Sequence, residues 1–425
     1  MASSLSGKLK LPARVLAEIR RFVENQDMSK PQIKISPGSS NGDNFSGDVF
    51  RVIAVPENGV VPEDFLADRS ISQREMHLFV KLAPTSELRR SLYKTAFYFE
   101  REKYMYEVVL PRYDQFQRHY LPKDEVFNHY PQLLMADLTT NQEFLVLNDL
   151  KREGYFSPYR AHPLSMHQCR LVLATLAKFH AISYAFKDQQ PKEFSQLTSK
   201  LVETMFIEPI SEDMTHFLQK KIEYGLRTLP DDNETIYLKA HLRRFGDSFG
   251  ANMASCVGVK NYGVICHGDT WISNLVFRFK NNKEYEMKLL DWQMSRHTTP
   301  ILDLSYFIFC CTDEILRIHL PQLLNEYYDN LIRRIDELGS SGIEMYPKNI
   351  FEEHCQKYMK YGLGLALMTL HAVTCKSTEI PNVTEVLENQ NLEKLDEISD
   401  FLVTKPAYIK RMSGVIRDAV RFGYI

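Results

Sequence analysis

Val264-Ile-Cys-His-Gly-Asp-Thr-Trp-Ile-Ser-Asn-Leu-Val-Phe-Arg-Phe279 is the stretch on which the fold turns. Its apolar ends read as strands, and His267, Gly268, Asp269 and Asn274 fall where the chain must loop between them. Asn281-Asn282 then suits a hairpin turn. The returning strand is Tyr285-Glu-Met-Lys-Leu-Leu-Asp-Trp-Gln293, with Asp291 at its end. Two carboxylates and one amide therefore bracket a hairpin: Asn274 follows Asp269 by five residues, and Asp291 follows Asn274 by 17.

The spacing His-x-Asp-x-x-x-x-Asn is the catalytic-loop pattern of kinases, in which the Asp takes the acceptor hydroxyl's proton and the Asn holds magnesium. Asp291 has the place and polarity of a second metal-binding carboxylate. Carboxylate and amide oxygens are hard ligands suited to magnesium held chiefly through phosphate and water. His-Gly-Asp alone is an ordinary turn; Asp269, Asn274 and Asp291 together are much harder to obtain by accident. His267 is read as a residue that braces the loop, not as the base.

Phosphate contacts are expected from the strand-rich first third. Lys81 interrupts an apolar strand, Leu78-Phe-Val-Lys-Leu82, where a charge is costly unless paired. The helical stretch 86–110 offers Glu87, Glu100, Glu102 and Glu107, and Glu102 is the expected partner, placing the ammonium on α/β-phosphates. Alone, Lys81 reads as an edge lysine facing water; the order strand-Lys, helix-Glu, Asp, Asn, Asp favours a function. The loop Gly38–Gly47 is rich in small residues whose N–H groups can approach an anion, or is simply a hairpin turn.

Working outward, residues 12–25 put Val15, Leu16, Ile19, Phe22 and Val23 on one helical face. Strands are expected at 33–35, 49–55, 76–83 and 143–147, and Pro111 and Pro122 are read as punctuation. Beyond Asn148–Gly154 the pattern becomes helical, at 163–186, 195–227, 232–254 and from 301 onward, around the β-rich island 262–293. The segment 405–425 carries Lys405, Lys410, Arg411, Arg417 and Arg421, with Met412, Ile416, Ala419 and Val420 on one face. It is expected to dock on the helical part, an anionic membrane being the alternative.

The whole chain has 425 residues and a net charge of −2, so no global basic field marks a nucleic-acid binder. Hydrophobic residues at 44% and charged residues at 25% exclude a disordered or collagen-like chain. The seven cysteines are odd in number, lie beyond residue 168 and form no C-x-x-C pair. Free thiols in a reducing compartment follow, and with no secretory or transmembrane pattern a cytoplasmic location is expected.

Taken in order, several segments resemble the insect ecdysteroid kinase-like family, part of the choline kinase and aminoglycoside phosphotransferase group. They are Gly42-Asp-Asn-Phe-Ser46, Phe79-Val-Lys81, Phe99-Glu-Arg-Glu-Lys-Tyr-Met-Tyr-Glu-Val-Val-Leu-Pro111, Leu147-Asn-Asp-Leu150 and Leu176-Ala-Lys-Phe-His-Ala181. His267–Asn274, Leu290-Asp-Trp-Gln293 and Ile301-Leu-Asp-Leu-Ser305 complete the set, which spans about residues 38–310. Asn148 stands where an acid is usual, Ser273 where Asn is frequent, and Trp292 where Phe is common.

The resemblance implies an α+β, bilobal protein-kinase-like fold. Residues 1–149 would form a small β-rich N-lobe and 150–425 a large, mainly helical C-lobe. It implies nucleotide contacts from Gly42, Asn44, Ser46, Lys81, Glu102, Asn148 and Leu150, with Asp269 catalytic, Asn274 and Asp291 on metal, and Asp303 structural. It also implies ATP and Mg2+ as cofactors and a small hydroxylated substrate: an ecdysteroid-like sterol alcohol, or alternatively choline, ethanolamine or an aminoglycoside. A nucleotide-binding pseudokinase is the rival. Acceptor specificity is expected from 195–255 and 320–425, with Phe206, Phe217, Tyr224, Tyr306, Phe307 and Tyr361 as candidate pocket aromatics.

Overall fold

The structure is a computed structural model and describes residues 11–38, 47–57, 75–281, 284–376, 386 and 392–425. The described residues fall into two compact units, one comprising residues up to 103, 131–154, 386 and 392, the other 104–130, 155–376 and 393–425. The architecture is α+β, as expected: one unit is built on an antiparallel sheet and the other is mainly helical.

The first unit is organised by a five-stranded sheet of order β1-β2-β3-β5-β4. Its strands are β1 (Gln32–Pro37), β2 (Asp48–Val55), β3 (Met76–Leu82), β4 (Leu133–Asp137) and β5 (Phe144–Asn148). Successive strand residues point to opposite faces. On one face Phe50, Val52, Ala54, Leu78, Val80, Leu82, Phe144 and Val146 pack against Val15, Ile19 and Val23 of helix α1 (Ala13–Glu24). That leaves Val49, Arg51, Phe79 and Lys81 on the other face, in the register Val49↔Lys81↔Leu145 and Arg51↔Phe79↔Leu147. The β4 strand has no strong alternation in its sequence and is partly buried throughout.

The helix expected over 86–110 begins at Ser86, whose hydroxyl caps Arg89 N–H, and restarts at Thr95. It does not stop at Pro111. A π-helical turn over Met105–Val109 shifts the hydrogen-bond register just before the proline, and the helix continues to Gln117. Proline lacks an N–H to donate, and a register change at this point accommodates that loss.

The second unit is centred on the Met166–Gln189 helix, started by a capping box between Ser165 and Gln168. The stretch 195–227 is not one helix. Pro191–Ser199 and Glu212–Arg227 are separated by an irregular segment, in which the Glu203 carboxylate accepts the N–H groups of Thr204, Met205 and Phe206. The 232–254 stretch likewise breaks at Ser248. The β-island holds the hairpin β7 (Leu275–Asn281) and β8 (Glu284–Leu289), whose expected turn residue Asn282 lies outside the described residues. Two short strands read less clearly from sequence: β6 (Val264–Cys266) pairs antiparallel with β9 (Arg296–Thr298).

The Pro406–Arg421 helix docks within this unit by Tyr408, Met412, Val415, Ile416 and Ala419, all fully buried. Its Arg411 donates to the Cys310 carbonyl at 2.9 Å. All seven cysteines are buried free thiols. Among the described residues no helix is long and apolar enough to cross a membrane.

Candidate active site

In the first unit, Lys81 and Glu102 form a buried ion pair, Nζ to Oε2 at 2.6 Å. The pair is local in origin. Lys81 is near the end of β3, the middle strand of the sheet, and the Thr95–Tyr104 helix presents Phe99 and Glu102 three residues apart on one face. Glu102 neutralises the ammonium, and the Phe99 ring lies 5.7 Å from it. The other acids considered, Glu87, Glu100 and Glu107, are exposed.

Asn148 ends β5, and its side chain is engaged at the strand end: Oδ1 accepts the Gln132 N–H at 2.6 Å, and Nδ2 donates to Glu153. Leu150 is buried. The neighbouring Asp149, passed over in the sequence, takes an ion pair from Arg51 at 3.0 Å. Gly42, Asn44 and Ser46 lie outside the described residues.

In the second unit, β6 delivers the chain into the loop and β7 carries it away. The loop itself is held from below by one carboxylate. Asp303, in the first turn of the Ile301–Cys311 helix, accepts the N–H of His267 at 2.7 Å and of Gly268 at 2.8 Å. His180 Nε2 lies 3.0 Å from the same carboxylate, with its Nδ1 2.8 Å from the Tyr327 hydroxyl. Burial would raise the Asp303 pKa, but these bonds and the nearby imidazoles keep it below the usual carboxylate value. His267 braces the loop as read: Nε2 meets the Leu290 carbonyl at 2.9 Å and Nδ1 accepts the Asp269 N–H. Burial lowers its pKa, so the ring is neutral at pH 7.

Gly268 has φ +87°, and a Cβ there would lie 2.0 Å from the Met294 carbonyl oxygen. Only glycine fits both the left-handed backbone and that approach. Arg296 secures the same strip of chain, with Nε donating to Met294 O at 3.2 Å and Nη1 pairing with Glu203 at 2.7 Å. An arginine opening a three-residue strand carried no recognisable signal in the sequence.

The structure brings Asp269, Asn274 and Asp291 together. The Asn274 amide nitrogen donates to the Asp269 carbonyl at 3.0 Å and to its carboxylate at 2.8 Å. Pinning that nitrogen leaves the amide oxygen as the donor available to a cation. Asp291 is the left-handed residue (φ 64°) that turns the chain out of the hairpin. Removal from water and the Asp291 charge push the Asp269 pKa up to about 7, against the pull of bonds to Asn274 and Tyr306. Two neighbouring carboxylates with one amide oxygen form a hard, anionic donor set, and a divalent magnesium ion would relieve their mutual repulsion, so the residues fit that ion.

Of the candidate pocket aromatics, Phe206, Tyr224, Tyr306, Phe307 and Tyr361 are buried, whereas Phe217 is 40% exposed. Tyr306 stands apart, since it bonds Asp269 from the helix turn that also carries Asp303.

The family match defines the class of protein, a phosphotransferase acting on hydroxyl groups of small molecules. The chain belongs to the ecdysteroid kinase-like family, which it matches over residues 41–340. No curated protein matches it. Solved structures with a similar chain path include a GDP complex of an aminoglycoside 2′-phosphotransferase-IIIa mutant (11% identity, TM-score 0.44, 91% of this chain and 95% of that chain). A Plasmodium vivax ethanolamine kinase (13%, 0.38, 91% and 89%) and the choline kinase LicA from Streptococcus pneumoniae (11%, 0.36, 92% and 100%) are others.

Proposed function

We propose that this protein is an ATP- and magnesium-dependent kinase that phosphorylates a hydroxyl of a small molecule, with an ecdysteroid-like sterol alcohol as the leading acceptor. The observation that supports this best is the Asn274 side chain, its nitrogen fixed on Asp269, a carboxylate that also feels the Asp291 charge.

In the proposed reaction the acceptor oxygen forms a bond to the γ-phosphorus and the bond from that phosphorus to the β,γ-bridging oxygen breaks, releasing ADP. Asp269 orients the acceptor hydroxyl and receives its proton. Lys81, neutralised and positioned by Glu102, binds the α/β-phosphates. Gly42, Asn44, Ser46, Asn148 and Leu150 are assigned to the nucleotide. Asn274 and Asp291 would hold magnesium, which supplies charge compensation to the β- and γ-phosphate oxygens. His267, Asp303 and His180 keep the loop in place and exchange no proton with substrate.

The test is a screen of purified protein with Mg-ATP against hydroxylated metabolites, ecdysteroid-like sterols first, then choline, ethanolamine and aminoglycosides. Mass spectrometry is expected to find one added phosphoryl group on a sterol alcohol. Product on choline, ethanolamine or an aminoglycoside alone would move the acceptor to that class. Mg-ATP binding with no product on any alcohol would favour the pseudokinase.

A simpler measurement needs no acceptor. The chain has two tryptophans, Trp271 and Trp292. Trp271 follows Asp269 by two residues, and Trp292 is fully buried 4.6 Å from the His267 ring. Mg-ATP is expected to change the intrinsic fluorescence saturably. A flat titration through millimolar Mg-ATP would count against metal–nucleotide binding at Asn274 and Asp291.

A further inference from the structure

Besides Lys34 on β1, the sheet face opposite the α1-packed core carries two cationic residues, Lys81 and Arg51. They lie on neighbouring strands two residues out of step: Val49 is opposite Lys81, and Arg51 is opposite Phe79. Two residues of strand is about 7 Å. Moving from the Lys81 row to the Phe79 row leads toward Asn148 and Asp149, because Leu147 pairs with Phe79 and Asp149 N–H bonds the His77 carbonyl at 3.1 Å.

Arg51 is held on three sides. Its Nε bonds Asp149 Oδ2 at 3.0 Å, its Nη1 donates to the Gly38 carbonyl at 2.6 Å, and its guanidinium carbon sits 5.6 Å from the Phe79 ring centroid. The Asp149 side chain is 7% exposed and that of Arg51 is 22% exposed. The Nη2 group has no hydrogen-bond partner among the described residues and keeps its donor capacity on a fixed guanidinium. A surface arginine bears a large rotamer-entropy cost to form one contact; here that entropy is already lost to Asp149, Gly38 and Phe79. The arrangement suits a directional donor to a ligand lying on this face.

We propose that Arg51 is a nucleotide-binding residue that contacts the nucleoside half, donating from Nη2 to an acceptor on the sugar or base. This rests on the reading in which Lys81 takes the α/β-phosphates and the Asn148–Leu150 segment lies beside the base. With Lys81 at the phosphates, a residue one row nearer Asn148 falls beside the sugar and base. Its charge is already met by Asp149, so it acts through direction more than through net charge.

The experiment is calorimetric binding of adenosine and of Mg-ATP to the full chain, wild type against Arg51→Gln. Loss of a charged hydrogen bond is expected to weaken both ligands by the same factor, about tenfold. Lys81→Met is the contrast, weakening Mg-ATP while sparing adenosine. Because Arg51→Gln leaves Asp149 without its cation, the Arg51→Gln/Asp149→Asn variant is measured alongside, with thermal unfolding as the folding check. It is expected to show the same tenfold loss. Unchanged affinities in the folded double variant overturn the inference. A loss confined to Mg-ATP also overturns it, by placing Arg51 on the phosphates. A wild type that binds Mg-ATP but no adenosine at saturation overturns it too. A wild type that binds neither ligand instead refutes the nucleotide reading of this sheet, and the inference falls with it.

Discussion

Asp269→Asn protein is expected to bind Mg-ATP with close to wild-type affinity and to transfer phosphate far more slowly. The substitution keeps the shape of the side chain and an oxygen able to accept from Asn274, whose amide nitrogen also holds the Asp269 carbonyl, a main-chain contact that the exchange does not touch. What is lost is the group that orients the acceptor hydroxyl and takes its proton. Removing a general base costs about 10²–10⁴-fold, so a fall in kcat of roughly a thousandfold is expected. The measurement is steady-state turnover on the acceptor found in the screen, with nucleotide affinity determined separately. Near-wild-type turnover would remove Asp269 from the role of base. Loss of nucleotide binding together with turnover would mean that the side chain anchors the metal–nucleotide complex instead.

Gly268→Ala is expected to disable the enzyme through geometry alone. The new methyl group would sit 2.0 Å from the Met294 carbonyl oxygen, on a backbone with φ +87°. The left-handed conformation alone costs roughly 1–2 kcal/mol for a residue with a Cβ. The overlap is with main chain, which cannot swing aside as a side chain can. The loop must shift, and Asp303 would lose its grip on the two N–H groups it now bonds. A displacement of about 1 Å at a reacting group costs on the order of a hundredfold in rate. Turnover should fall by at least that factor, while far-ultraviolet circular dichroism stays that of the wild type. An active Gly268→Ala enzyme would show that the loop tolerates a different path.

The lysine–glutamate pair was legible because a charge inside an apolar strand asks for a partner, and Glu102 has the helical position to supply one. The hairpin acids were legible because their spacing is tied to the chemistry. Asn148 shows the opposite case. Its place in a motif points to the nucleotide but says nothing of its side-chain partners, Gln132 and Glu153, nor that Asp149 beside it carries the contact to Arg51. Which of two adjacent polar residues turns inward at a strand end depends on partners 98 residues away, and no local pattern records that.

Pro111 misled for a similar reason. Proline predicts a helix end unless the preceding turn changes register, and the register change lies in the structure of Met105–Val109, not in their composition. The irregular segment after Ser199 has a helical pattern in its apolar residues, but Glu203 gathers three main-chain N–H groups that a helix would have used otherwise. Side-chain capture of backbone donors of this kind competes directly with helix formation.

The burial of the cysteines has one more outcome. Burial pushes the Cys169, Cys310 and Cys355 thiols up to about 12 and raises those of Cys266 and Cys311 well above the ordinary thiol value. At neutral pH these sulfurs stay protonated, and the protonated form is a poor nucleophile toward alkylating reagents. Maleimide uptake would then register only molecules that have opened, giving a covalent clock for unfolding in a protein that needs no engineered label.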